Sequence, residues 1–247
     1  MSSQVVPASA SKTVSLSLLR DFTLYSGGET VVVAPASQRL VCFLALQRTR
    51  VRRTLVSGSL WPESDDQHAS AALRSALWRL PPLELVMTTA THLRLNPEIV
   101  IDLHRVVDDA LSALRCPPAD GLLVDLAHRL IDIGDDILPG WYEDWVLVER
   151  DQFRQVRLQA LDRIGEGLAD SGRWDDVFEV ALAATRAEPL RESAHRLLVR
   201  VYLRQGNVAE AIRRYLAYRD LLRTEFNGRP SSAITDLLSP FLHTRPA

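Results

Sequence analysis

Apolar and polar side chains alternate over residues 14–33, VSLSLLRDFTLYSGGETVVV, with Val14, Leu16 and Leu18 followed by Phe22 and Leu24. A period of two predicts half-buried strands, and Gly27-Gly28 supplies the positive φ of a hairpin turn from which Val31 to Val33 return. The period then lengthens. Leu40, Phe43, Leu44 and Leu46 share one stripe of a helix over Ala36 to Gln47, with Ser37 at its N-cap, and a second short helix runs from Thr54 to Trp61 and closes at Pro62. A third helix covers His68 to Leu80, capped by Asp65 or Asp66 and stopped by Pro81-Pro82. At 100° per residue it carries Ala69, Leu73, Ala76, Leu77 and Leu80 on one face and Ala71, Arg74, Ser75 and Trp78 on the other. Two extended runs, LELVMTT and HLRLN, flank Ala90-Thr91 and predict a second hairpin. A helix from Asp102 to Leu114 follows, with Leu103, Val106, Val107, Ala110 and Leu114 in its stripe.

Strands, three helices and a closing hairpin form the order of a winged helix-turn-helix, so the fold expected for the head is α+β. Cys116-Pro117-Pro118 is the strongest linker signal in the chain. It divides the sequence into a leader (1–13), a head (14–115) and a helical half (116–247). In that half Leu123, Leu126, Ala127 and Leu130 mark a helix over Gly121 to Ile133. Leu138 to Gly172 then reads as one long amphipathic helix entered through a Pro-Gly-Trp turn, with Trp145, Val148, Phe153, Val156, Leu161, Ile164 and Leu168 at helical spacing. Beyond it the pattern repeats: Gly172 and Gly206, Trp174 and Val208, Val177 and Ala211, Ala181 and Tyr215 are each 34 residues apart. That period, with glycine at the turn and small residues where helices cross, is a tetratricopeptide-like array of helical hairpins. Pro189 and then Asn227-Gly228-Arg229-Pro230 interrupt it, and Ser231 to Leu242 forms a terminal capping helix.

Charge separates the two halves. The 247 residues carry a net charge of -2, but residues 1–115 hold 12 Lys+Arg against 10 Asp+Glu, while 116–247 hold 17 against 21. Lys12 is the single lysine, and no GxxxxGK[ST] loop surrounds it. No stretch approaches the ~18 apolar residues of a membrane helix, and the opening MSSQVVPASASKTVS lacks the apolar core of a secretory signal. Cys42 and Cys116 are far apart and away from ligand spacing, which suits a reducing cytoplasm and a core role for Cys42.

Catalytic patterns are missing from the sequence: no GxSxG elbow, no HExxH helix and no glycine-rich dinucleotide loop occurs. No enzyme activity and no cofactor are expected. Asp132, Asp135, Asp136, Glu143 and Asp144 form an acidic cluster, but without the alternating spacing of a calcium loop they read as helix caps, not as a metal site. Trp141, Trp145 and Trp174 suit either a peptide groove or the core; the core is preferred, with Trp141 and Trp145 locking the long helix to the helix before it.

In order and spacing, FTLYSGG, SQRLVCFLAL, LWPE, ALRSALWRL, LRL and IDL resemble the DNA-binding head of bacterial transcriptional activators of the antibiotic-regulator type, related to OmpR-like winged helices. The blocks DDILPGWYEDWVLVERDQFRQVRLQALDRIGEGL, ALAATRAEPLRESAHRLLVRVYLRQGNVAEAIRRYLAYRDLLRTEF and GRPSSAITDLL resemble the bacterial transcriptional activation domain (BTAD). Together these resemblances span residues 14–242. They imply a third helix in the major groove of double-stranded DNA, with Ser70, Arg74, Ser75 and Arg79 against it. They also imply an array that contacts RNA polymerase or other partners, including a second copy in a homodimer. Arg39 and Arg53 are expected to add phosphate contacts, and Trp78 and His92, beside the reading face and on the wing hairpin, complete the candidate set. A rival reading makes the protein an interaction scaffold whose head no longer binds DNA. It draws on the weak charge of the head, a wing turn without glycine, and Asp65-Asp66. No membrane partner is expected, and no small-molecule effector is assigned.

Overall fold

The alternation at the start of the chain folds into three antiparallel strands: β1 (Val14–Ser17), β2 (Thr23–Ser26) and β3 (Glu29–Val31). A computed structural model describes residues 13–115, 120–134 and 136–242; the leader up to residue 12, the Cys116-Pro117-Pro118 linker and Asp135 lie outside the described residues. Gly27 and Gly28 take φ of 60° and 87°, and this two-residue turn pairs Ser26 with Glu29. The returning strand is therefore Glu29–Val31, earlier than the Val31 to Val33 expected from hydropathy, and Val32 is left exposed.

Helix α1 (Pro35–Gln47) begins with proline at its first turn and buries eight residues, Cys42 among them. Ser37 is not its cap. The side chain is fully buried, and its hydroxyl donates to the Ala76 carbonyl at 2.8 Å. The chain continues through β4 (Val51–Arg52), α2 (Arg53–Leu60), α3 (Asp66–Trp78), β5 (Val86–Thr88), β6 (His92–Leu95), β7 (Val100–Ile101) and α4 (Asp102–Arg115). Two sheets result, in the orders β3-β2-β1-β7 and β4-β6-β5, with β7 parallel to β1. The Asp102 carboxylate joins the end of β1 to the start of α4: it accepts from Ser17 Oγ (2.6 Å), Leu18 N (2.9 Å) and its own neighbour Leu103 N (2.7 Å).

Helices α5 (Asp120–Asp132), α6 (Asp144–Asp170), α7 (Trp174–Ala187), α8 (Glu192–Arg204), α9 (Val208–Phe226) and α10 (Ser232–Leu242) complete the described chain. The fold is a winged-helix head followed by helical repeats. It divides into two compact units, one of Met1–Arg105 with Asp136–Asp151 and one of Val106–Asp135 with Gln152–Ala247. A division at residue 116 and these units differ in where they assign 106–115 and 136–151.

Within the first unit, residues 136–143 form a turn before α6 begins, so the helix is shorter than Leu138 to Gly172. Leu138 takes φ 46°, is fully buried, and donates its N–H to the Leu18 carbonyl at 2.9 Å. Arg150 closes the turn by donating to the carbonyls of Ile137, Leu138 and Trp141. Trp145 meets Trp141 and Phe43 of α1 edge-on. The expectation that this tryptophan pair locks α6 to the preceding helix is thus corrected: the partner is α1, whose Phe43 supplies a ring of the right size. Val148, expected in the apolar stripe, is exposed, because the buried side chain on this turn is Val146.

In the second unit the 34-residue register holds: Gly172 and Gly206 take φ of 74° and 76° at the two equivalent turns, and α7 and α9 start at Trp174 and Val208. Gly165 lets α6 and α8 approach closely; a Cβ there would lie 2.7 Å from Leu197 Cδ1. Buried Arg157 donates from Nε to the Leu130 carbonyl of α5 at 2.7 Å. Ile234 and Leu238 of α10 close the array on Val199, Ala211, Tyr215 and Tyr218.

Candidate nucleic-acid interface

Helix α3 is held from below and left open above. Ala69, Leu73 and Ala76 are buried, and the Ser37 hydroxyl bond fixes the inner face to α1. Gln67, Ala71, Arg74, Ser75 and Trp78, at i, i+4, i+7, i+8 and i+11, form the opposite, exposed face. Trp78 is 85% exposed, so it does not pack on the wing or elsewhere in the described chain. Ser70 is half-buried at the margin of that face, and Arg79 is exposed at the C-cap. The Asp65 side chain accepts the His68 N–H at 2.8 Å as the N-cap, and these hydrogen bonds from His68 lower its pKa. Its negative charge therefore compensates the positive end of α3 and is directed to that helix.

The wing is brought to the start of α2. Arg53 N donates to the Thr91 carbonyl at 2.9 Å, and β4 pairs with β6 so that Arg52 lies opposite His92. His92 is half-buried with Nδ1 2.9 Å from Thr91 Oγ1. The wing turn needs no glycine: the Thr89 hydroxyl accepts from His92 N at 3.0 Å, and none of its residues takes positive φ. Alternation along β6 buries Leu93 and Leu95 and leaves His92 and Arg94 on the other side, with Arg94 opposite Met87.

Ion pairing sorts the arginines of the head. The side chains of Arg50, Arg52, Arg53, Arg74, Arg79 and Arg94 make no hydrogen bond or ion pair within the described residues. Arg39 does: its Nε lies 3.1 Å from Glu143 Oε1, which commits this candidate to the turn before α6. No local pattern in the sequence distinguishes Arg50, Arg52 and Arg94 from the other arginines. The alternation of LRL gives only the side of β6 on which Arg94 lies, whereas the placement of Arg50 and Arg52 depends on the β4–β6 pairing.

The acidic cluster is divided among partners. Asp136 pairs with Arg150 and Glu143 with Arg39, so neither waits for a cation. In the array, Arg196 and Arg200 share Glu166, lowering its pKa against a desolvation that would raise it, and Arg200 lies 5.9 Å over the Trp174 ring. No described helix is long and apolar enough to cross a membrane.

A family model, the bacterial transcriptional activator domain, matches residues 104–240, more than half of the chain. The chain belongs to this family. The helices from α4 to α10 are the part that carries the match. A solved structure, Mycobacterium tuberculosis EmbR in complex with a low affinity phosphopeptide, is similar to this BTAD protein over 96% of its length, with 20% identity and a TM-score of 0.69. At that identity the likeness is one of fold, and it includes the winged-helix head that the family model does not reach. The chain spans 66% of the EmbR chain. No curated protein sequence matches it.

Proposed function

We propose that this regulator binds double-stranded promoter DNA with α3 in the major groove, and that its array recruits RNA polymerase or a partner to activate transcription. The observation that carries this reading is the outer face of α3, where Ala71, Arg74, Ser75 and Trp78 are exposed, next to a helix end bearing Arg79, which has no ion pair within the described residues. A face of one small residue, one hydroxyl and one guanidinium admits close approach to base edges, and arginine is the side chain that reads guanine bidentately. Arg50, Arg52, Arg53 and Arg94 supply cations for the flanking phosphates, and Ser70 and His92 stand at the margins of the contact. Arg39, paired with Glu143, is left out of the contact set. The array contributes surface and not catalysis, and a homodimer would present two heads to adjacent half-sites.

The test is binding to promoter duplexes across salt concentrations. Affinity should fall with a log–log slope of about -0.9 for each phosphate neutralised. Arg52→Ala should flatten that slope by about one, whereas Arg74→Ala should cost about 1–3 kcal/mol and relax preference at one base pair. Duplex binding that stays at background in low salt would establish the scaffold reading instead.

A further inference from the structure

We propose, on the reading that α3 enters the major groove, that Trp78 makes the head selective for thymine through the 5-methyl group of that base. The ring of Trp78 is 85% exposed and has no hydrogen bond, ring contact or cation over it within the described residues. A lone exposed apolar side chain such as Val32 is common on a protein surface and calls for no partner. Trp78 differs in its place. Val32 follows the short strand β3, outside any element, whereas Trp78 stands on one helical face with Gln67, Ala71, Arg74 and Ser75. Leu73 and Ala76 are buried on the opposite face, so no rotation of α3 can cover the indole without exposing the core. Arg74, one turn earlier, is the natural cation for this ring, yet the cation that does stand over a tryptophan is Arg200, at Trp174. Indole and guanidinium on α3 are both left for a partner from outside.

An indole has one N–H donor, no acceptor, and an otherwise apolar surface. Gln67, Arg74 and Ser75 can pair with the donors and acceptors of base edges, but Trp78 matches them poorly. The apolar group displayed in the major groove is the thymine 5-methyl, which Ala and Phe side chains are known to contact; adenine, guanine and cytosine offer no methyl there. Phosphates attract the cations of the head, whereas a neutral ring gains no charge attraction from them. Although Trp78 is the last residue of α3, Cα–Cβ bonds on a helix tilt toward its N-terminus, which directs the side chain back along the reading face. Trp78 follows Arg74 by four residues. That is a rise of about 6 Å, close to two base-pair steps of about 3.4 Å. A guanine read by Arg74 and a thymine read by Trp78 are therefore expected about two base pairs apart.

Duplexes that the full chain selects from a random-sequence pool are the probe. Each is remade with deoxyuridine in place of thymine, one position at a time, which removes a methyl and preserves the base pair. At one thymine the parent should lose about fourfold in affinity, the worth of one buried methyl. That thymine should lie about two base pairs from the position where Arg74→Ala relaxes preference. Trp78→Ala, whose circular dichroism and thermal midpoint should match the parent, should bind the thymine duplex at least about fourfold more weakly and should no longer distinguish it from the deoxyuridine duplex. Trp78→Phe, which keeps an apolar ring, should retain the distinction. Equal deoxyuridine losses in the parent and in Trp78→Ala would overturn the proposal. So would parent-like binding of both duplexes by Trp78→Ala, the result expected of a ring that contacts a protein. A parent that selects duplexes without any deoxyuridine response removes the thymine contact alone, whereas a parent that selects no duplex removes the DNA-binding reading and the thymine contact together.

Discussion

Trp145 meets Phe43 edge to face, with ring centroids 5.4 Å apart and planes at 78°. The two residues are 102 positions apart in sequence, yet both belong to the first compact unit. Such a pair adds about 0.5–1.5 kcal/mol to the burial of the rings themselves. Trp145→Ala should therefore lower the unfolding free energy of the head by about 2 kcal/mol or more, and Trp145→Phe by clearly less. Chemical denaturation followed by a head-specific probe distinguishes them. Equal midpoints for parent and alanine variant would refute the assignment.

Ser37 ties α1 to α3 through one hydrogen bond. Its hydroxyl reaches Ala76 O at 2.8 Å inside the core, so Ser37→Ala leaves a buried carbonyl without this donor and should cost about 1–3 kcal/mol. Because the bond lies on the inner face of α3, amide exchange around Ala76 should accelerate more than exchange in β2. A uniform change across the head would argue against a local role.

Two helical glycines should respond in opposite directions to alanine. At Gly58 of α2 a Cβ meets nothing within 4 Å, so Gly58→Ala should stabilise by up to about 1 kcal/mol through helix propensity. At Gly165 the same Cβ would lie 2.7 Å from Leu197 Cδ1, and Leu197 is itself buried. Overpacking of about 1–3 kcal/mol then outweighs the propensity gain, and Gly165→Ala should be destabilising overall. Urea midpoints of the two variants check both signs.

His195 gives the array an acid-sensitive step. Burial is the largest cause of a pKa lowered to about 4; Arg214 lowers it further, and the Pro189 carbonyl and Glu192 oppose the shift. The ring stacks on Tyr218 at 4.2 Å, and its Nε2 is 2.8 Å from Pro189 O. Between about pH 4 and the unfolded value of about 6.5 the unfolded chain binds a proton that the folded one does not. Stability is complete above that window and declines as pH falls through it, by up to about 3 kcal/mol in all. Urea midpoints from pH 7 to 4 should fall more steeply for the parent than for His195→Gln. Parallel curves would contradict the shift.

How far the sequence prefigured this molecule depends on the range of the interaction. Local signals carried well: Gly27-Gly28, the Asp65 cap, the period of α3 and the 34-residue return from Gly172 to Gly206 each act within a few residues or repeat regularly. Ser37 and Trp145 were misplaced for one reason. A serine at a helix start is a good local cap, and a tryptophan at a helix entrance is a good anchor to its neighbour, but each found a more distant partner, in Ala76 and Phe43. The candidate interface divides likewise. The open face of α3 was legible from periodicity, whereas the engagement of Arg39 by Glu143 and the freedom of Arg52 and Arg94 are set by long-range packing and strand pairing.

The segment Asp136–Asp151 carries a consequence for where the chain can be cut. It belongs with the head although it lies between two stretches of the array, and the division between the units falls inside α4 and inside α6. A cut at residue 116 would leave a head without Leu138, Glu143 and Trp145, and so without the partners of the Leu18 carbonyl, the Arg39 guanidinium and the Phe43 ring. A head severed at residue 116 therefore lacks part of its own core, and residues 136–151 have to travel with it for the first unit to stay whole.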